Sequence, residues 1–267
     1  MNKFLTIATA FALCNTMAQA NPKNSEDRHL NGFTKIEQSG SIKINYYQSK
    51  TFKVVAHCDE GDIKEIKTRV DGNKLVVYIE GKKESHLGGL IKVNGKTTVK
   101  NAYVDVYSPT IEKYNGAGSG SFTAKTDLNI ENIVFQLSGS GKIKIGNATC
   151  TNMDINLAGS GNVSVGKAKV NGKQAISLSG SGNVNVNSTC YEANISLAGS
   201  GDIVYNGSNK NTSVSIAGSG SVTGEVFTDS FHGTTTGSGR INMNGKAGNI
   251  KTSKTGSGSA TFTNNNK

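Results

Sequence analysis

The chain has 267 residues with a formal net charge of +10, and it contains 33 glycines and no tryptophan. The positive charge is spread along the sequence without a dense basic run, whereas nucleic-acid-binding domains concentrate Lys and Arg on one face and usually add aromatic stacking partners. We therefore expect no nucleic-acid partner. The length suits one large domain or two small ones.

Residues 1–20 form the first element, which has the pattern of a signal peptide. Asn2-Lys3 gives a short positive region, Phe4 to Leu13 form an apolar core too short to span a bilayer, and Ala18-Gln19-Ala20 is a small-x-small cleavage site. No later stretch approaches the ~18 apolar residues that a spanning helix needs. The sequence thus predicts an exported protein without a transmembrane segment, located in the periplasm, on the outer-membrane surface or outside the cell.

Residues 21–32 are predicted to be a disordered leader. From Phe33 to residue 117 the chain shows irregular strands with alternating apolar and polar residues, as in Lys74 to Ile79, which follows a turn at Asp71-Gly72-Asn73. The Gly- and Lys-rich segment 80–100 is predicted to be an exposed loop. Because function concentrates in loops on rigid scaffolds, this loop is a candidate for the element that sets binding specificity.

Residues 118–262 contain a regular repeat in which Gly-Ser-Gly occurs eight times, at intervals of 19 to 21 residues. Apolar pairs such as Ile155/Leu157 precede the triplet, and pairs such as Val163/Val165 follow it, with polar residues between them. This period of two predicts half-buried strands, and glycine permits the positive φ of a corner between them. The predicted structural corner glycines are Gly118, Gly120, Gly139, Gly141, Gly159, Gly161, Gly180, Gly182, Gly199, Gly201, Gly218, Gly220, Gly237, Gly239, Gly256 and Gly258.

One such turn cannot bury its apolar side chains alone, but stacked turns bury a continuous column, so the repeat predicts an all-β solenoid. We expect one continuous unit over 33–262, with an irregular first part at 33–117. Thr235 and Lys254 stand where earlier turns have Leu or Ile. These polar residues are expected to cap the column and discourage end-to-end pairing.

Several segments together resemble one known family. They are Phe33-x-x-Ile36 before a Ser-Gly corner, DGNKLVVYIE at 71–80, VDVYSPTIEKYNGAGSGS at 104–121, and the serial Gly-Ser-Gly triplets. In this order they resemble the auto-transporter adhesins with a head GIN domain, over nearly all of 33–262. The resemblance implies a right-handed parallel β-helix in the cell envelope of a Gram-negative bacterium. It brings no catalytic residues to carry over.

The acidic residues of the repeat do not form an active site in the predicted fold. Each lies at a different offset from the first glycine of its turn, so no carboxylates stack in a catalytic or calcium-binding row; they are Asp127, Glu131, Asp154, Glu192, Asp202, Glu225 and Asp229. We therefore expect no enzymatic activity, cofactor or metal. Cys58, Cys150 and Cys190 remain after the signal peptide, and whether any two of them pair is left open.

Three hypotheses of function follow. The first is an adhesin-like binding module that contacts a glycan or an envelope or host surface protein through polar strand faces and the 80–100 loop. The second is a structural envelope scaffold without its own ligand, and the third is a polysaccharide-cleaving β-helix enzyme. Sugar sites usually offer exposed aromatic rings, yet the repeat has only Tyr191 and Tyr205, and Tyr205 is expected to face inward. The ligand and the oligomeric state stay open.

Overall fold

The computed structural model describes residues 24–80 and 98–265. Within them the chain forms a β-solenoid of about eight turns, as predicted. One short 3₁₀-helix at Ile63–Glu65 interrupts the strands. In the described part of the chain, no helix has the length and apolar character needed to cross a membrane.

The strands follow one another along the described chain, with no separate domain between them. Those of the first part are β1 (Asn24–Asp27), β2 (Lys35–Gly40), β3 (Lys43–Gln48), β4 (Lys53–Cys58), β5 (Ile66–Asp71), β6 (Lys74–Ile79), β7 (Tyr103–Ser108), β8 (Lys113–Gly118), β9 (Ser121–Ala124) and β10 (Leu128–Asn129). Those of the regular part are β11 (Asn132–Gly139), β12 (Lys142–Cys150), β13 (Asn152–Gly159), β14 (Asn162–Val170), β15 (Lys173–Gly180), β16 (Asn183–Thr189), β17 (Glu192–Gly199), β18 (Asp202–Gly218), β19 (Ser221–Gly237), β20 (Arg240–Thr255) and β21 (Ser259–Asn264).

Each turn pairs in parallel with the turns before and after it, so that equivalent residues lie on top of one another. Ile155 pairs with Ile176, and Leu157 pairs with Leu178, one turn later. These side chains are at most 2% exposed. Because burying an Ile or Leu side chain stabilises a fold by about 1.5–3 kcal/mol, the stacked aliphatic column is the main source of stability.

The first part contains one regular turn and an insertion. β2 and β3 pair in parallel with β8 and β9, which places Gly40 beside Gly118 and Ile44 beside Phe122. The residues between β3 and β8 add further strands at this end, including the antiparallel pairs β4–β7 and β5–β6. β5 and β6 are joined at Gly72, whose φ is +60°, in the predicted turn. β7 pairs in parallel with β3. The insertion therefore extends the sheet to which β3, the strand after the corner at Gly40, belongs.

The prediction of a disordered leader is wrong from Asn24 onward. β1 pairs antiparallel with β4, with Asn24 opposite Cys58. The Arg28 guanidinium donates hydrogen bonds to the carbonyl oxygens of Ile63 and Ile66, at 3.0 and 3.2 Å. Edge pairing and these bonds fix a segment whose composition shows no strand pattern.

The three cysteines of the described chain are unpaired and buried: Cys58, Cys150 and Cys190. Burial raises the pKa of the Cys150 thiol to about 11, which keeps it protonated at neutral pH. Tyr205 faces the core, as expected, and its side chain is fully buried. The predicted signal peptide at 1–20 and nearly all of the segment 80–100, which is predicted to be an exposed loop, lie outside the described residues.

A buried glutamine is one of the polar residues that interrupt the apolar column in the described chain. Gln174 lies one turn after Met153 and is fully buried, yet its Oε1 has no hydrogen-bond partner in the structure. An unpaired buried acceptor costs about 1–3 kcal/mol. We therefore expect Gln174→Met to raise the free energy of unfolding by about 1 kcal/mol, as measured by urea denaturation. Gln136→Met, on the outer side of β11, is the control and should change stability by less than about 0.5 kcal/mol. A destabilised Gln174→Met variant would contradict the prediction.

Candidate functional site

The corner triplets form a backbone ladder along the solenoid. The first glycine of each triplet has positive φ, for example +125° at Gly159 and +124° at Gly180. A Cβ on Gly180 would lie 2.5 Å from the carbonyl oxygen of Gly159, and one on Gly182 would lie 2.5 Å from that of Gly161. The corner residues are thus packed backbone against backbone. They offer no functional side chain for binding or catalysis apart from the serine hydroxyls, and their proposed role is structural.

A cluster of aromatic and polar side chains lies instead on the sheet formed by the strands that follow the glycine corners. It is at the N-terminal end of the solenoid. β3 lies there between β9 and β7. Because successive side chains of a strand point to opposite faces, Ile44 and Tyr46 enter the core, whereas Asn45 and Tyr47 point outward and are half-buried.

β7 has the same phase as β3. Val104 and Val106 are buried, and the three side chains that alternate with them point outward, namely Tyr103, Asp105 and Tyr107. The parallel register sets Asn45 beside Asp105 and Tyr47 beside Tyr107. His57 of β4 lies on the other side of Tyr103. We call the outward side chains Asn45, Tyr47, His57, Tyr103, Asp105 and Tyr107 the tyrosine patch.

Ring stacking and polar contacts hold this patch together. The rings of Tyr47 and Tyr107 stack with centroids 4.5 Å apart, and those of His57 and Tyr103 stack at the same distance. Asn45 Nδ2 donates to Asp105 Oδ1 at 2.8 Å. The other carboxylate oxygen lies 3.2 Å from His57 Nε2, although neither ring nitrogen has the alignment of a hydrogen bond. The patch is therefore largely preorganised.

An open pocket of about 380 Å³ lies against the patch and is lined by Tyr47, Tyr103, Lys43 and Lys125 among others. Burial, and then the negative charge of Asp105, raise the pKa of Tyr47 to about 12. The same two causes raise the pKa of Tyr103. Both hydroxyls therefore stay protonated at neutral pH and can donate hydrogen bonds to a ligand.

A second concave surface follows the solenoid axis, and its volume is about 880 Å³. Its floor consists of small side chains such as Ala148 and Ala168, and its walls are exposed polar residues. Asp127 and Glu225 belong to turns at its two ends, and Phe227, which is 51% exposed, lies beside Glu225. These carboxylates are too far apart to act as an acid–base pair on one bond. Among the residues that the structure describes, no three His, Cys, Asp or Glu side chains gather as a metal site would require.

Sequence reasoning missed the tyrosine patch because it sought aromatic residues in the regular repeat alone. The sequence did contain an indication of the patch in the irregular part of the chain. In Asn45-Tyr46-Tyr47 and in Tyr103-Val104-Asp105-Val106-Tyr107, inward-facing residues alternate with outward-facing aromatic or polar ones. What alternation could not show is that β3 and β7 pair. The prediction that the 80–100 loop sets specificity falls on residues 81–97, outside the described residues, and stays a prediction.

The sequence matches a family model described as "Putative auto-transporter adhesin, head GIN domain" over residues 32–209 and again over 192–264. No curated protein matches the sequence. Together the two matched ranges cover nearly all of the described chain.

Solved structures with a similar fold cover almost the whole chain. A "putative lipid binding protein" from Parabacteroides distasonis is 25% identical with a TM-score of 0.80, covering 91% of this chain and 97% of that one. A "putative adhesin" from Parabacteroides merdae is 20% identical with a TM-score of 0.73, covering 90% and 95%. Another "putative adhesin", from P. distasonis, is 20% identical with a TM-score of 0.77, covering 90% and 96%. The two adhesins support the fold alone.

Proposed function

Because this chain belongs to the auto-transporter adhesin family with a head GIN domain, we propose that it is an exported, non-catalytic binding module of the bacterial envelope or cell surface. Its partner is a glycan or a surface protein, contacted through the outer face of β3 and β7 and the adjoining polar strands. The sequence pattern of residues 1–20, which predicts a signal peptide, supports export. The rigid column supports a role in presenting a surface rather than in changing shape.

The observation that carries the proposal is the tyrosine patch. Aromatic rings with polar tips supply large contact area at low conformational-entropy cost and are enriched where proteins bind other molecules. Here two tyrosines line an open pocket beside a carboxylate and an amide. Asp105 accepts hydrogen bonds, Asn45 can both donate and accept them, and the phenol groups donate them. This set can recognise the hydroxyl groups and ring faces of a sugar or the polar surface of a protein.

The test is a binding screen of the purified protein against glycans, matrix proteins and bacterial envelope polysaccharides, with Tyr47→Ala as the variant. Loss of one stacking ring is expected to weaken binding about tenfold. Tyr191→Ala is the matched control, because Tyr191 is 53% exposed on a distant turn and should leave affinity unchanged. Thermal unfolding of both variants checks that the fold is kept.

Three results would count against the proposal. If no probe binds at physiological salt, the envelope scaffold becomes the better hypothesis. If Tyr47→Ala and Tyr191→Ala bind equally well, the patch is not the contact surface. If only lipid vesicles bind, the chain follows the lipid-binding description of the P. distasonis structure and not the adhesin function.

A further inference from the structure

Four lysines lie next to the tyrosine patch, three of them in β3 and β12 and one just after β9. Lys43 of β3, Ser121 of β9 and Lys142 of β12 share one row of the sheet, and Asn45, Thr123 and Lys144 share the next row. At a strand spacing of ~4.8 Å, the Cα atoms of Lys43 and Lys142 are about 10 Å apart. Lys125 follows β9 and lines the same pocket as Lys43. We call Lys43, Lys125, Lys142 and Lys144 the lysine quartet.

The positive charge of the quartet is not neutralised by the protein. In the described ranges, none of the four has a carboxylate within ion-pairing distance. The strands beside Lys142 and Lys144 carry neutral side chains, Ser121 and Thr123 on one side and Asn162 and Ser164 on the other. All four lysines are exposed. Like charges gathered at this density attract an anionic partner.

The carboxylates of the pocket lie on the tyrosine side and are already engaged. Asp105 accepts from Asn45, and Asp59 accepts from Asn101 Nδ2 at 2.7 Å. The pocket is therefore polarised, with hydrogen-bond acceptors and rings at one end and free ammonium groups at the other. A ligand that matches both ends has hydroxyl groups and an apolar ring face next to an anionic group.

We infer that the tyrosine patch and the lysine quartet together bind an acidic saccharide, a sugar chain that bears carboxylate or sulfate groups. The inference rests on the proposed binding function and names its ligand class. The ring face of one sugar contacts Tyr47 and Tyr103, its hydroxyl groups bond to Asp105 and Asn45, and its anionic groups face the lysines.

A membrane surface fits these residues less well. Membrane-surface proteins pair basic residues with apolar side chains that enter the lipid. The exposed large hydrophobic residues of the described chain lie elsewhere, at Tyr191, Phe227 and Ile250. The rings of the patch are half-buried and stacked against one another. They offer contact to a ligand in the pocket rather than insertion into a bilayer.

The test measures binding of the purified protein to oligogalacturonate and chondroitin sulfate by isothermal titration calorimetry. The methyl ester of oligogalacturonate is the neutral counterpart, with the same sugar ring and linkage. The variant is Lys142→Ser/Lys144→Ser. The control is Lys167→Ser/Lys169→Ser, which removes the same charge from β14, the strand that pairs with β12. Lys167 and Lys169 line the second concave surface and not the pocket beside the tyrosine patch. We expect at least one acidic polymer to bind, the ester to bind at least tenfold more weakly, and the first variant alone to lose about tenfold in affinity.

Each other outcome overturns the inference. Equal losses in the two lysine variants would show that net charge and not this site attracts the polymer. Equal affinity for the acid and its ester, lost only in Tyr47→Ala, would refute the acidic ligand but keep the proposed function. Binding to neither acidic polymer, or only to vesicles of phosphatidylcholine with phosphatidylserine, would refute the inference that the ligand is a saccharide.

Discussion

Replacing Gly180 by alanine is expected to lower the free energy of unfolding by about 3–5 kcal/mol, because backbone strain and a steric clash act together. The φ of Gly180 is +124°, and a Cβ there would lie 2.5 Å from the carbonyl oxygen of Gly159. That carbonyl cannot move away freely, since it accepts a hydrogen bond from the Ser181 N–H at 3.1 Å. Far-UV circular dichroism over a guanidinium titration measures the loss.

Two other glycines separate the causes. Gly40 has φ +83° but open space around its Cβ position, so Gly40→Ala isolates backbone strain and should cost about 1–2 kcal/mol. Gly146 has neither positive φ nor a neighbour within 4 Å, and Gly146→Ala should be neutral or stabilising by up to about 1 kcal/mol. If Gly180→Ala were as mild as Gly146→Ala, the corners would not require glycine.

The regular part of the fold could be predicted because each turn buries equivalent residues in the same way as the turn before it. A residue such as Ile155 stacks on the equivalent residue of the next turn, Ile176. The period of the sequence therefore predicts both which side chains point inward and which strands pair. The corner triplets then set the register. The same argument failed for β1 (Asn24–Asp27), since Asn-Ser-Glu-Asp contains no alternation and gains its order from the edge of β4.

The candidate site could be predicted only in part, because its residues come together through long-range pairing. Asn45 and Asp105 are 60 residues apart in the chain and hydrogen-bonded in the fold. Lys43 and Lys142 are about 100 residues apart, so a charge that is evenly spread in the sequence becomes a patch on one sheet. Alternation identifies which side chains point outward, but only the strand order of the insertion shows which of them are neighbours.

Replacing Lys254 by leucine is expected to make the protein self-associate end to end. β21 pairs with residues 240–245 of β20, which leaves residues 249–255 as an edge strand at the end of the described column. Lys254 lies beside Thr235, which is fully buried, and so has the inward phase. An inward-pointing charge at an edge opposes pairing with another chain. Leucine would instead gain about 1.5–3 kcal/mol on burial, which corresponds to roughly 10- to 100-fold tighter association.

Sedimentation velocity over a range of protein concentrations measures this association. Lys251→Leu is the matched control, because Lys251 pairs with His232 in the outward phase of the same strand and adds the same apolar group on the outer face of the sheet. Only Lys254→Leu is expected to shift to larger species at lower concentration than the native protein. If both variants associate equally, general surface hydrophobicity is the cause. If neither does, the capping of this end depends on the other polar residues of the strand, and the inward charge of Lys254 is not what keeps the edge unpaired.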